Sequence, residues 1–318
     1  MQNIATDERP IVVGVDGSAG AQQALHWASG EALVRGVPLE VVHAWEPPYS
    51  ISGVGSILSP REIAPYRDHA RQVLNQTIHE EFGAVDPSPA IIPELRQGYP
   101  PSKLVEATHD AQLLVVGSRG VGALKGALLG SVSHHCTMHS TVPVAVVREN
   151  AGWSRTDEIV VGIDGSDEAA AALRWAIREA VVRNSKLVVI HAWHFDAKTA
   201  PAEHRYAAAN KRTVTERSEA LVEQEVENAI AAVGAAPDPV VLVSSCQAPV
   251  QALVDRAGAT GLLVMGSRGR GGFAASVLGS VSQHCLHQAR GVVVVVPQGA
   301  ADRVLTDPAL TGSALLAG

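Results

Sequence analysis

The sequence predicts a tandem pair of parallel α/β domains, and three observations carry that prediction. Long segments recur, a glycine motif occurs twice, and apolar runs alternate with helical patterns inside each copy. Ile11-Val12-Val13-Gly14-Val15-Asp16-Gly17-Ser18 reappears as Ile159-Val160-Val161-Gly162-Ile163-Asp164-Gly165-Ser166. His43-Ala44-Trp45 returns as His191-Ala192-Trp193, again 148 residues later. Gly117-Ser118-Arg119-Gly120, with Gly130-Ser131 beyond it, returns 149 residues later as Gly266-Ser267-Arg268-Gly269 with Gly279-Ser280. One residue has therefore been gained or lost in mid-repeat. From Val115 to Cys136 against Val264 to Cys285, 13 of 22 positions are identical, which makes the loops true copies. The 318 residues leave room for two cores. They divide into domains at 1–150 and 151–300, a linker around Glu149–Ser154, and a weakly ordered tail at 301–318.

Each element has a local reason. Residues 11–16 form a nearly unbroken apolar run, as a strand buried on both faces requires. Ser18 can cap the next helix, whose Ala21, Ala24, Leu25, Ala28 and Ala32 fall at helical spacing. A second strand is expected at about 39–45, followed by a polar, proline-containing insertion and a long amphipathic helix at 61–82. The third strand, at about 90–96, holds Pro93, which cannot donate to a ladder and so marks a sheet edge. A short helix near 102–109, a fourth strand at 113–117, the glycine loop, a helix opening at Gly130-Ser131 and a fifth strand at about 142–147 complete the copy. The second copy repeats this order and ends in Val292 through Val296.

Bulk composition narrows the function. Twenty-five basic against 32 acidic residues give a net charge of −7, and no stretch is strongly basic. That argues against a nucleic-acid surface, whose affinity rests on clustered Lys and Arg. Cys136, Cys246 and Cys285 are too few for a disulfide framework, and no CxxC pair offers a zinc site. The N-terminal residues lack the pattern of a signal peptide, and no apolar run approaches the roughly 18 residues of a membrane span. A cytoplasmic protein in a reducing compartment is expected.

The glycine loops carry the chemistry. A buried strand feeding a glycine bend and then a helix start is an arrangement that cradles phosphate: glycine lets main-chain N–H groups approach an anion, and the helix end adds free donors and a positive dipole. Neither copy is a P-loop, because Gly122 is followed by Ala123 and Gly271 by Gly272, without the Lys-Ser/Thr that motif needs. Nor does a complete GxGxxG with a downstream acid occur, so ATP is favoured over a dinucleotide.

Gly-x2-Gly-x9-Gly-Ser behind a buried strand, with Val-Asp-Gly-Ser or Ile-Asp-Gly-Ser closing strand one and His-Ala-Trp closing strand two, resembles the universal stress proteins. The match is to their ATP-binding subclass and to the tandem form typical of actinobacteria, over about 10–148 and 158–297. The resemblance implies two doubly wound domains of the adenine nucleotide alpha hydrolase-like fold. Each would be a five-stranded parallel sheet in the order 3-2-1-4-5 flanked by helices, with the ligand crevice above strands one and four. It implies that the triphosphate lies against Gly117, Gly120, Gly130, Ser131, Val132 and Ser133, and in the second copy against Gly266, Gly269, Gly279, Ser280, Val281 and Ser282; Ser118, Arg119, Ser267 and Arg268 are counted with them as nucleotide-binding residues. The ends of strand one, Gly14-Val15-Asp16 and Gly162-Ile163-Asp164, would line the nucleoside pocket, and Ala44 and Ala192 would reach adenine. It further implies pairing of the two copies through their fifth strands, possible homodimers, an unidentified regulatory protein partner, and a role in stress adaptation such as hypoxia, dormancy or growth arrest.

Each residue also has a plainer reading. Asp16 and Asp164 can cap the Gly-Ser turn that follows them. Ser131 and Ser280 can be N-caps. Arg119 and Arg268 can reach phosphate or lie on the surface. His134, His135, Cys136 and His139 invite a metal, but Gln283, His284, Cys285 and His287 do not reproduce the spacing, so no metal site is expected there. His43 and His191 read as structural or pocket-wall residues. ATP, with Mg²⁺, is the expected ligand in both copies and no catalytic residue is assigned; the alternative is a slow ATPase or phosphotransferase using the same sites. The copies differ at Val121/Arg270 and Lys125/Ala274, where added cations could make the two affinities unequal.

Overall fold

A computed structural model describes residues 7–47, 59–83, 89–122, 129–149, 151, 158–193, 211–259, 261–269, 278–298 and 300. The chain divides into one compact unit of Glu8–Glu149 and another that includes Asn150–Gly318. The first contains β1 (Ile11–Gly14), α1 (Ala19–Arg35), β2 (Leu39–Trp45), α2 (Pro60–Phe82), β3 (Ile91–Gln97), α3 (Pro100–Ala107), β4 (Leu113–Gly117), α4 (Ser131–His139) and β5 (Val144–Val147). The second contains β6 (Glu158–Gly162), α5 (Asp167–Arg183), β7 (Lys186–Ala192), α6 (Lys211–Val233), β8 (Val240–Ser245), α7 (Pro249–Ala257), β9 (Leu262–Gly266), α8 (Ser280–Gln288) and β10 (Val292–Val296).

Within the first unit the strands run β3-β2-β1-β4-β5, and within the second β8-β7-β6-β9-β10. Every pair in these two series is parallel, with Ile11 opposite both Leu39 and Leu113, and Ile159 opposite both Leu187 and Leu262. The order 3-2-1-4-5 holds in both units. It separates strands one and four at their carboxyl ends into crossovers of opposite direction, which opens a crevice there.

Helices cover both faces because β1, β4 and β9 bury successive side chains without alternation. In the first unit α1 packs on α2 and on the central strands, while α3 packs on α4. The expected inner face of α1 is in place: Ala21, Ala24, Leu25, Ala28 and Ala32 are all buried. Ser18 caps that helix through its hydroxyl, which accepts the Ala21 N–H at 3.2 Å, and Ser166 does the same for α5 with Ala169. Both helices stop at a left-handed residue, Gly36 (φ 68°) and Asn184 (φ 52°), the two residue types that adopt this conformation most cheaply. Pro93 lies on β3 opposite Val41, on a strand that pairs only with β2 among the described residues.

Three boundaries differ from expectation for local reasons. β1 ends at Gly14, because the chain leaves the ladder after the Val15 N–H bonds the Val42 carbonyl and Asp16 turns to hold the Ser18 N–H. β5 starts at Val144, since the Ser140 hydroxyl closes a turn on Val142 just before Pro143. α3 starts at Pro100, where a fixed φ suits the first helical turn. The offset between the copies also changes at a definable place. Buried Ala70 and Leu74 of α2 match buried Ser218 and Val222 of α6 at 148 residues, whereas β3 and β8 start 149 apart. The extra residue lies between that helix and the third strand. Most of the proline-containing insertion, most of the linker and the tail at 301–318 lie outside the described residues.

Cys136 and Cys285 are buried at equivalent positions of α4 and α8, and burial pushes both thiols up to about 12. Cys246 is exposed. A thiol-specific chromogenic reagent at pH 8 is therefore expected to titrate one cysteine per native chain and three after denaturation; three fast-reacting thiols in the native protein would contradict this packing.

Candidate functional site

Among the described residues an open cavity lies at the carboxyl ends of strands one and four in each unit, about 240 Å³ in the first and about 660 Å³ in the second. Its back wall is the end of strand one, Gly14-Val15-Asp16 or Gly162-Ile163-Asp164. Its floor adds Ala44 and Val42, or Ala192 and Ile190, from strand two. The far side is the glycine bend and the helix start beyond it.

The bend is built from the strand end outward. The Ser118 N–H donates to the Val147 carbonyl at 2.8 Å, and the Ser118 carbonyl accepts the Gly130 N–H at 2.8 Å. The Ser133 hydroxyl donates to the Gly117 carbonyl at 2.6 Å. These bonds lock the first turn of α4 onto the end of β4. The second unit repeats them with Ser267 to Val296, Gly279 to Ser267, and Ser282 to Gly266. Gly130 and Gly279 hold the N-cap positions, so Ser131 and Ser280 are first helical residues and not the caps. Their N–H groups, with those of Val132, Ser133, Val281 and Ser282, belong to first turns that have no carbonyl four residues back to bond. All six residues line the cavities. A positive helix end with open donors thus faces each crevice.

Asp16 does two jobs at once. One oxygen accepts the Ser18 N–H at 3.0 Å and the other the Val121 N–H at 2.9 Å. The acid therefore staples the glycine bend to the turn that opens α1. Asp164 accepts the Ser166 N–H at 3.1 Å and the Ser166 hydroxyl at 2.6 Å. The closeness requires glycine opposite: a Cβ on Gly120 would lie 2.3 Å from one Asp16 oxygen, and one on Gly269 2.4 Å from Asp164. Gly117 is equally confined, since a Cβ there would meet the Gly20 main chain at 2.6 Å.

The loop arginines line the cavities but are held by carboxylates. Arg119 meets Glu149 at 2.7 Å, and Arg268 meets Glu168 at 3.1 Å. His43 and His191 do not line either cavity. His43 Nδ1 bonds the Val15 carbonyl at 2.8 Å and His191 Nδ1 the Ser218 hydroxyl at 2.7 Å, both as supports. Ser118 and Ser267 stay beneath the bend as main-chain anchors and also lie outside the cavity walls. The other residues expected at the site come together there. Residue-level reasoning missed a third wall: Pro100 and Leu104 of α3, and Pro249 and Leu253 of α7. The signal was present, because both pairs recur at the 149-residue offset of the glycine loops. Among the described residues no group of three or more His, Cys, Asp or Glu could hold a metal by itself, although His135 and His139 have ring centroids 4.2 Å apart.

The universal stress protein family model matches residues 8–148 and again 156–297. The chain belongs to the universal stress protein family. Universal stress protein Rv2005c of Mycobacterium tuberculosis is 33% identical over 303 residues, covering 91% of this chain and 97% of the relative. Rv2623 of the same organism, also a universal stress protein, is 31% identical over 293 residues, covering 90% and 95%. A solved universal stress protein from Archaeoglobus fulgidus superposes with a TM-score of 0.62 at 21% identity, over 92% of this chain and 99% of that one, a likeness of fold. The two family matches coincide with the two sets of five strands, so this universal stress protein is a tandem one. No helix among the described residues is long and apolar enough to cross a membrane.

Proposed function

We propose that this universal stress protein is a cytoplasmic regulator that binds an adenine nucleotide, ATP with Mg²⁺, in each unit. The nucleotide biases a conformation or a contact with a protein partner during stress adaptation, including hypoxia, dormancy or growth arrest. The observation that carries the reading is the convergence, twice, of a glycine bend, an open helix N-terminus and an apolar slot on one crevice. The helix start and bend offer main-chain donors to phosphate. The strand-two alanines and Leu104 or Leu253 offer an apolar bed for a purine, and Asp16 or Asp164 lines the same cavity, where it would meet a ribose.

Mg²⁺ fits this donor set in the way it fits many nucleotide sites, on phosphate oxygens and waters with one protein carboxylate in reach. Asp16 and Asp164 would hold it through water, and the ion would neutralise phosphate charge. The chain's own groups favour binding over turnover. Both Asp16 oxygens already accept main-chain N–H groups, so this acid positions a bend instead of waiting as a free base.

Denaturing freshly purified protein and identifying released small molecules by mass spectrometry tests the reading directly. Adenine nucleotide at up to two equivalents per chain is expected. Protein that releases none, and that shows no heat of binding with ATP and Mg²⁺ in calorimetry, would refute it.

A further inference from the structure

The two crevices differ in how the glycine-bend arginine is held. In the second unit the Glu168 carboxylate, in the first turn of α5, pairs with Arg268 at 3.1 Å, and its side chain is only 14% exposed. The matching residue of the first unit is Gly20, where a Cβ would lie 2.6 Å from the Arg119 carbonyl. That unit has no room for the same pairing. Its Arg119 instead reaches Glu149, just past β5, at 2.7 Å. Pro297 and Gln298 stand at the positions of Arg148 and Glu149 in the second unit. The carboxylate that holds Arg119 beside the first crevice is thus 36% exposed, whereas the one that holds Arg268 beside the second is sheltered in the first turn of α5.

We propose that Glu168 sets phosphate selectivity in the second unit, lowering its preference for the more highly charged nucleotide by holding Arg268 in a neutral ion pair at the phosphate end of the cavity. The inference rests on the nucleotide reading given above. A phosphate that reaches Arg268 must share it with a fixed carboxylate, and the resulting repulsion grows with ligand charge. The pair is half sheltered, so salt screens it less than it would an open surface pair. ATP carries about one more negative charge than ADP at neutral pH, so its binding suffers more, while adenosine is indifferent. The first unit prefers the triphosphate and the second accepts the diphosphate comparatively well.

The test uses two full-length single-site proteins, Gly120→Val to leave the second crevice and Gly269→Val to leave the first, titrated with ATP, ADP and adenosine in excess Mg²⁺. The first crevice is expected to show the higher ATP-to-ADP affinity ratio. In the second-site protein, Glu168→Gln is expected to tighten ATP about tenfold and ADP about threefold, with adenosine unchanged and the gain shrinking at high salt. Glu168→Asp, which keeps the charge, is expected to keep the ratio. An unchanged ATP-to-ADP ratio in Glu168→Gln overturns the inference and leaves nucleotide binding standing. Should that variant fail to fold, equal ratios in the two single-site proteins overturn it equally well. Absence of binding by both single-site proteins and by the unsubstituted chain overturns the functional reading and this inference together.

Discussion

Replacing Gly120 and Gly269 together by valine is expected to abolish nucleotide binding, lowering affinity at each crevice by about 100-fold or more. The added Cβ would arrive 2.3 Å from an Asp16 oxygen that already accepts the Val121 N–H. Asp16 must then swing away, which releases Val121 and opens the bend; Asp164 faces the same demand at 2.4 Å. Loss of such an exposed charged hydrogen bond costs at most about 1.5–3 kcal/mol of local stability, well below what a domain of this size needs in order to unfold. The variant is therefore expected to keep its far-ultraviolet circular dichroism while calorimetry with ATP and Mg²⁺ falls silent. Affinity within threefold of the parent would show that the bend does not meet the ligand.

The largest effect on stability is expected from Leu114→Ala. Leu114 is fully buried on β4, between Val12 of β1 and Val144 of β5, where no helix can move in to fill the gap without breaking its own packing. Truncation there costs about 3–5 kcal/mol, the transfer of the lost carbons plus an unfilled cavity. Val121→Ala supplies the control: that side chain is 74% exposed, and its N–H bond to Asp16 comes from the main chain, so its change stays within about 0.5 kcal/mol. Urea unfolding followed by circular dichroism separates the two. Equal midpoints would mean that β4 is not at the centre of its unit.

The strands were the most legible part of the chain, and for a simple reason. Residues 113–117 and 292–296 are apolar runs buried on both faces and punctuated by turn residues, so their ends were set locally. Glycine spacing likewise located the bend, because close approach to Asp16 and to the start of α1 tolerates no side chain. The wall formed by Leu104 and Leu253 was harder to see. Each is an ordinary inner-face leucine of a short helix, and only the third dimension carries it over Gly14 or Gly162. The carboxylate partners of Arg119 and Arg268 were beyond local reasoning for the same cause: Glu149 and Glu168 occupy unrelated places in the repeat, and only folding brings either to its bend. Two of the three misjudged boundaries sit where a hydroxyl or a carboxylate competes with the regular ladder, and the third where a proline favours an earlier helix start.

The Asp16 staple has a consequence for affinity. A bend already fastened at Ser18 and Val121 has surrendered its freedom during folding, so an arriving anion does not have to impose order on it. Under the proposed nucleotide reading, less binding free energy is then lost to ordering the bend of the first crevice.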